Sequence, residues 1–168
     1  GVLSERYACI DNIALIEAIE SIESAGLEVK GFELTEVSFH LRLVDPTAYT
    51  GADSDDPLFS GVHISNSEVG MRTLSVDALV YRQVCTNGLV RLVRNRSVYA
   101  RKHIGHAPEQ LPSILRESAM AALELGGSSA LAFAKAKDTR IDDPEEKVAS
   151  LAKPWNLTEE VQESIVRQ

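Results

Sequence analysis

The feature that most constrains the fold is a change of hydrophobic period part-way along the chain. Val37, Phe39, Leu41 and Leu43 alternate with Ser38, His40 and Arg42, and Leu74, Val76, Ala78 and Val80 alternate in the same way with Thr73, Ser75 and Asp77 between them. Such alternation sends successive side chains to opposite faces, so each run predicts a strand with one buried face. After Pro108 the spacing becomes helical: Leu111, Ile114, Leu115, Ala122 and Leu125 share one face with the small Ser118. A block of strands followed by helices, rather than strict alternation, predicts an α+β fold. Its parts are an N-terminal helix, a twisted antiparallel sheet of about five to six strands, and C-terminal helices packed on one face.

Local signals fill in this outline. Asp11 is placed to cap a helix over residues 11–24, with Ile16, Ile19 and Ile22 on its apolar face and Gly26 as its stop. Residues 27–33 predict a short strand turning at Gly31, and residues 61–66 predict another. Residues 45–57 have the Pro, Gly, Asp and Ser content of an exposed loop. Asn87-Gly88 is the strongest hairpin signal, since both residues tolerate the positive φ of a type I′ turn, and residues 96–104 predict one more strand. Gly126-Gly127 predicts a break in the long helix. Asp142-Asp143-Pro144 opens a short helical tail, and Asn156 or Thr158 caps a last helix beside Trp155 and Leu157. The expected organisation is one α+β domain over residues 1–140 and a helical tail over 141–168, cut from a longer protein.

Composition narrows the setting. The 168 residues are 44% hydrophobic and 25% charged, ordinary for a globular chain able to bury a core without disulfides or metals. No apolar run has a membrane-spanning length and no signal peptide opens the chain, so no membrane partner is expected. Cys9 and Cys85 stand alone, which predicts free thiols in a reducing, cytoplasmic compartment.

The net charge of -8 is unevenly spread. Residues 1–77 carry 14 acids and 4 bases, and residues 109–168 carry 11 acids and 7 bases. Residues 78–108 carry no acid and six bases: Arg82, Arg91, Arg94, Arg96, Arg101 and Lys102. Because salt screens charges beyond about 10 Å, a local excess of this kind attracts an anion even on an acidic protein. Guanidinium forks match phosphate oxygens, and an aromatic ring can stack on an unpaired base. Arg91, Arg94, Arg96, Tyr99, Arg101, Lys102 and His103 are therefore the candidate nucleic-acid-binding residues. The competing reading is a solvated strand pair that balances an acidic protein.

Other positions carry weaker signals. Arg82 falls on the buried face of its strand if alternation is strict, which requires a bulge or a carboxylate partner such as Glu68 or Asp77. Asn66-Ser67-Glu68-Val69-Gly70 reads first as a turn fixed by side-chain-to-backbone hydrogen bonds, and second as an edge at which Asn66 and Glu68 meet a ligand. His103 and His106 with Glu109 give an incomplete metal set that would need His40 or His63 from distant strands. Cys85 with His103 lacks the setting of a thiol nucleophile. Glu28-Val29-Lys30 has the Glu-x-Lys form of a magnesium-dependent nuclease but no second acid at hand. No Gly-rich phosphate loop, GxSxG elbow or HExxH occurs, so no enzyme active site is readable and no cofactor is expected, with a nuclease at Glu28 and Lys30 left as the third alternative.

Several blocks together resemble one family. They are Leu3-Ser4-Glu5-Arg6-Tyr7, the stretch Gly61-Val62-His63-Ile64-Ser65 running into Asn66-Ser67-Glu68-Val69-Gly70, then Tyr81-Arg82-Gln83-Val84-Cys85-Thr86-Asn87-Gly88-Leu89-Val90, then Arg101-Lys102-His103-Ile104-Gly105, and finally Leu151-Ala152-Lys153 with Leu157-Thr158-Glu159-Glu160. In that order they resemble the prokaryotic phage/plasmid-like protein family, a domain of unknown function whose members are longer at the C-terminus. The resemblance implies a mobile-element setting, where accessory proteins serve DNA replication, recombination or protection, and it brings no catalytic residues. Single-stranded nucleic acid is thus the first expected partner. A host or phage protein held by the acidic region is the second, and a homo-oligomer is also compatible.

Overall fold

Helix α1 (Asn12–Glu23) starts where its first N–H groups find acceptors. The Asp11 carboxylate accepts from the Ile13 N–H at 2.8 Å, and Glu68 Oε1 accepts from the Asn12 N–H at 2.7 Å. Two donors that a helix end leaves unpaired are thereby satisfied. The buried stripe is Leu15, Ile19 and Ile22, continued by Ile10, while Ile16 is 44% exposed. The predicted stripe was wrong at that position because Ile16 lies a further ~100° around the helix from Leu15. Gly26 takes a φ of +92°, suiting the stop predicted there.

The computed structural model describes residues 5–23, 26–48, 57–82, 89–92, 97–105, 109–137 and 139–166. Compact units form over Gly1–Ala134 and Lys135–Gln168. The first contains an antiparallel sheet of β1 (Glu28–Leu34), β2 (Phe39–Ala48), β3 (Leu58–Asn66), β4 (Leu74–Arg82), β5 (Leu89–Leu92) and β6 (Tyr99–Arg101). The strands run in sequence order from β1 to β5, with β6 also pairing with β4. β5 lies against residues 79–82 of β4 and β6 against residues 74–76, so both occupy the same edge of that strand. With α1 before the sheet and α2 (Leu111–Lys137) after it, the fold is α+β.

Register assigns the two faces. Phe39, Leu41 and Leu43 stand opposite Asn66, Ile64 and Val62, which stand in line with Val76 and Ala78. These residues pack with Leu15, Ile19 and Ile22 of α1 and with Leu111, Leu115, Ala119 and Ala122 of α2 into one core. The other face carries His40, Arg42 and Val44, then Ser65, His63, Gly61 and Phe59, then Ser75, Asp77, Leu79 and Tyr81. Val37 lies before β2 and is exposed, so the buried alternation begins at Phe39. Gly31 is not a turn. The β1–β2 register shifts between Val29 and Gly31, which makes a bulge inside β1, and the Arg42 side chain lies over the bare Gly31 Cα.

α2 runs unbroken through Gly126 and Gly127, contrary to the predicted break. Glycine at 126 answers a packing need. A Cβ there would lie 2.6 Å from Ser60 Oγ and 2.8 Å from the Leu79 carbonyl oxygen. The Ser60 hydroxyl donates to the Leu123 carbonyl at 2.5 Å, tying the helix to β3 at the point of closest approach. In the second unit α3 (Pro144–Ala152) is capped by Asp143, whose side chain accepts from the Glu146 N–H at 2.9 Å. A 3-10 turn (Lys153–Trp155) ends at Asn156, at φ 49°, before α4 (Glu159–Val166).

This packing makes a prediction. Gly126→Ala gains helix propensity of about 1 kcal/mol but overpacks rigid backbone, and should lower stability by about 1–3 kcal/mol in a urea titration. Ser128→Ala, at an exposed position of the same helix, should stay within about 0.5 kcal/mol of the parent. Equal midpoints for Gly126→Ala and the parent would contradict the close approach.

Candidate functional site

The face of the sheet opposite α1 and α2 holds a chain of polar side chains across three strands. His40 Nδ1 lies 3.1 Å from His63 Nε2, and the two rings are nearly parallel (6°) with centroids 5.3 Å apart. On its far side His63 Nδ1 is 3.5 Å from Asp77 Oδ2, a polar contact short of hydrogen-bond geometry. The Ser75 hydroxyl donates to the same Asp77 oxygen at 3.0 Å and is itself 2.9 Å from the Ser65 hydroxyl. The register explains the assembly. Arg42 is paired with His63, His63 with Asp77, and Ser65 with both His40 and Ser75, so alternate residues of β2, β3 and β4 share this face.

Electrostatics separate the roles of the three groups. Burial alone would raise the Asp77 pKa, but the His63 ring and the Ser97 and Ser75 hydroxyls outweigh it and hold the carboxyl below its usual range. The His40 pKa is lowered, first by burial, then by His63, Arg72 and Arg42, against a smaller opposing effect of Glu33. An ionised carboxylate at one end and a neutral imidazole at the other is the resting state at neutral pH.

The basic stretch is only partly brought together. Lys102 is exposed and Arg101 half-buried, directly after and within β6. Arg91 stands opposite Val80 in the β4–β5 register, while Arg94, Arg96, Asn87 and Gly88 lie outside the described residues. Tyr99 packs in part against the core, and His103 is only 6% exposed, so both turn inward rather than out to a ligand. Arg82 ends β4 and is exposed, so its charge is not buried and no bulge is required to free it from the core. Of the partners proposed for it, Asp77 lies on the opposite face and Glu68 caps α1.

Asn66 and Glu68 are structural. Asn66 is fully buried, and its Nδ2 donates to the Ile10 carbonyl and to Asn12 Oδ1, both at 2.9 Å. The Tyr7 hydroxyl donates to the Glu68 and Ser67 carbonyls, the Ser67 hydroxyl accepts from the Met71 N–H at 3.0 Å, and Gly70 turns the chain with φ +76°. Tyr7 also stacks on His103 (5.4 Å, 18°) and forms a β-bridge with Ile104. Residues 6–12, 66–71 and 103–105 thus form one knot that starts α1. Burial lowers the pKa of His103, partly offset by the backbone of Ala8 and Arg72, and its ring stays neutral.

Lys30 Nζ and Glu28 Oε2 pair with each other at 2.7 Å on an exposed edge. Among the described residues no group of three or more His, Cys, Asp or Glu is arranged to hold a metal ion, and His106 and Cys85 lie outside them. No helix among them is long and apolar enough to cross a membrane. No protein-family profile, curated protein or solved structure matches the chain.

Two outcomes test this geometry. Asn66→Ala strands the Ile10 carbonyl and Asn12 side chain and should cost about 1–3 kcal/mol in a denaturant titration. His40 and His103 both bind a proton more weakly folded than unfolded, so the unfolded chain gains protons first as pH falls. Stability is therefore full above the ordinary histidine pKa and declines below it. The urea midpoint should drop between about pH 7.5 and about pH 5.5, and a level midpoint would contradict the neutral assignment.

Proposed function

We propose that this chain is a single-stranded nucleic-acid-binding protein acting in the DNA metabolism of a mobile genetic element. One observation supports the reading: β5 and β6, the two strands that the stretch with six bases and no acid contributes beyond β4, both pair with the same edge of β4. Arg91 and Arg101 are spread along that edge at opposite ends of β4, with Lys102 exposed beyond it. A line of cations along an edge suits a flexible phosphate backbone better than a single bound anion. The resemblance to the phage/plasmid-like protein family supplies the mobile-element setting. Nothing in the reading calls for catalysis.

A protein partner is the second reading, supported by the opposite border. There Val29, Phe32 and Leu34 of β1 are 48%, 57% and 58% exposed, and an edge strand with apolar side chains is a template for strand addition.

Fluorescence anisotropy with a single-stranded oligonucleotide separates the two. Binding should weaken linearly in log K against log salt, and the Arg91→Ala/Arg94→Ala/Arg96→Ala triple variant should reduce the slope by about two to three. No binding at low salt, or a triple variant that binds like the parent, removes the nucleic-acid reading. Val29→Lys and Phe32→Glu, by contrast, should leave nucleic-acid binding unchanged.

A further inference from the structure

The histidine chain on the sheet face opposite α1 and α2 dictates its own proton positions. Asp77 is ionised and can only accept, so the His63 nitrogen facing it, Nδ1, must carry a hydrogen. An imidazole with a single hydrogen, carried at Nδ1, leaves its Nε2 as a bare acceptor. That nitrogen faces His40 Nδ1 at 3.1 Å, so the hydrogen between the rings belongs to His40 Nδ1. His40 Nε2 is left with a free lone pair on the half-buried outer ring. One carboxylate thus fixes the tautomer of a ring two strands away. The fixed form at His40 is the Nδ1–H tautomer, which free histidine populates less than the Nε2–H form.

The surroundings of His40 define what that lone pair meets. Arg42 lies two residues along β2 on the same face, and Arg72 lies in the turn between β3 and β4. Both guanidinium groups add to the positive potential at the ring, and Glu33, opposite His40 on β1, opposes them. His63 and Asp77 complete the set from β3 and β4. An anion arriving here meets that positive potential and a base able to become a further cation. Once His40 is protonated, the positive charge on the paired rings draws on Asp77, and the 3.5 Å contact on the far side has room to shorten. We propose that His40, Arg42 and Arg72 form a binding site for a phosphate group, which His40 captures by taking up a proton from solvent at Nε2.

No covalent bond is made or broken in this step; the protein and phosphate together gain one proton, held between Nε2 and a phosphate oxygen. The site is independent of the basic border on β5 and β6, so inorganic phosphate alone tests it, and an oligonucleotide serves as a second arm.

The experiment uses the uniformly nitrogen-15-labelled chain and long-range proton–nitrogen correlation spectra of its four histidines, assigned by single His→Gln variants. At about pH 7.5, where His40 is neutral, its spectrum should show the Nδ1–H tautomer; the Nε2–H form would overturn the relay. A pH titration in inorganic phosphate should then raise the apparent His40 pKa by about one unit over chloride of matched ionic strength, a tenfold preference of phosphate for the protonated ring. If an oligonucleotide without a terminal phosphate gives that rise and inorganic phosphate does not, the same site takes a phosphodiester. If neither moves the titration beyond chloride, the proposal is wrong. Arg42→Ala with Arg72→Ala should abolish the phosphate-dependent rise while leaving the tautomer in place. Asp77→Asn should release the tautomer, and if that variant fails to fold, the arginine pair still decides the matter.

Discussion

Strand β4 constrains the sheet through both of its faces and both of its edges. Leu74, Val76, Ala78 and Val80 face the helices and are almost wholly buried. The alternate positions Ser75 and Asp77 anchor the polar chain on the other face. One edge is paired over residues 75–82 with β3, and the other is shared between β5 and β6. A slip of one residue in this strand would turn Asp77 into the core and Val76 out to water. The cost of burying an unpaired carboxylate holds the register as firmly as the apolar residues do.

The same strand explains why α2 is where it is. The helix meets the sheet at Ser60 and Leu79, and close contact is possible only because position 126 has no side chain. Gly61 plays the matching part on the other face, where a Cβ would lie 2.5 Å from Leu79 Cδ1 and 2.6 Å from the Leu43 carbonyl oxygen. Two glycines on either side of one strand pair thus let backbone and side chains approach from above and below. A glycine in a helix reads as a breaker when only propensity is considered. At Gly126 tertiary packing reverses that reading.

The class of fold was legible because it rests on period, and period needs no partner. The strands expected from alternation at 39–43 and 74–80 form as β2 and β4, although Ser75 and Leu79 bury much of the second face of β4 as well, and the cap at Asp11 holds. What failed depended on contacts between distant segments. His103 lies in a basic run and looks like a surface residue, yet Tyr7, nearly a hundred positions earlier, closes over it. His40 and His63 entered only as remote recruits to a metal set at His103. Their actual partnership, with Asp77, needs the registers of two strand pairs, which no local pattern encodes. The paired polar positions of adjoining strands were the available signal: His40 and Arg42 in one alternating run, Ser75 and Asp77 in another.

The two anion-directed features proposed for this molecule differ in physical kind. Cations proposed to meet a nucleic acid beside β4 would act through long-range attraction, so their effect would depend on their number and weaken as salt screens them. The His40 chain acts at contact distance, and its strength depends on where a proton lies. A neutral imidazole beside two arginines keeps the local charge lower than a third fixed cation would, so the sheet does not carry the repulsion of three close positive groups when nothing is bound. Asp77 makes the third charge attainable on demand, since its carboxylate is already ionised and lies 3.5 Å from His63 Nδ1. Charge that forms only with its ligand costs the folded state little, and for that reason such a group can be placed on the central strands of a sheet, where a permanent lysine or arginine would need a permanent partner.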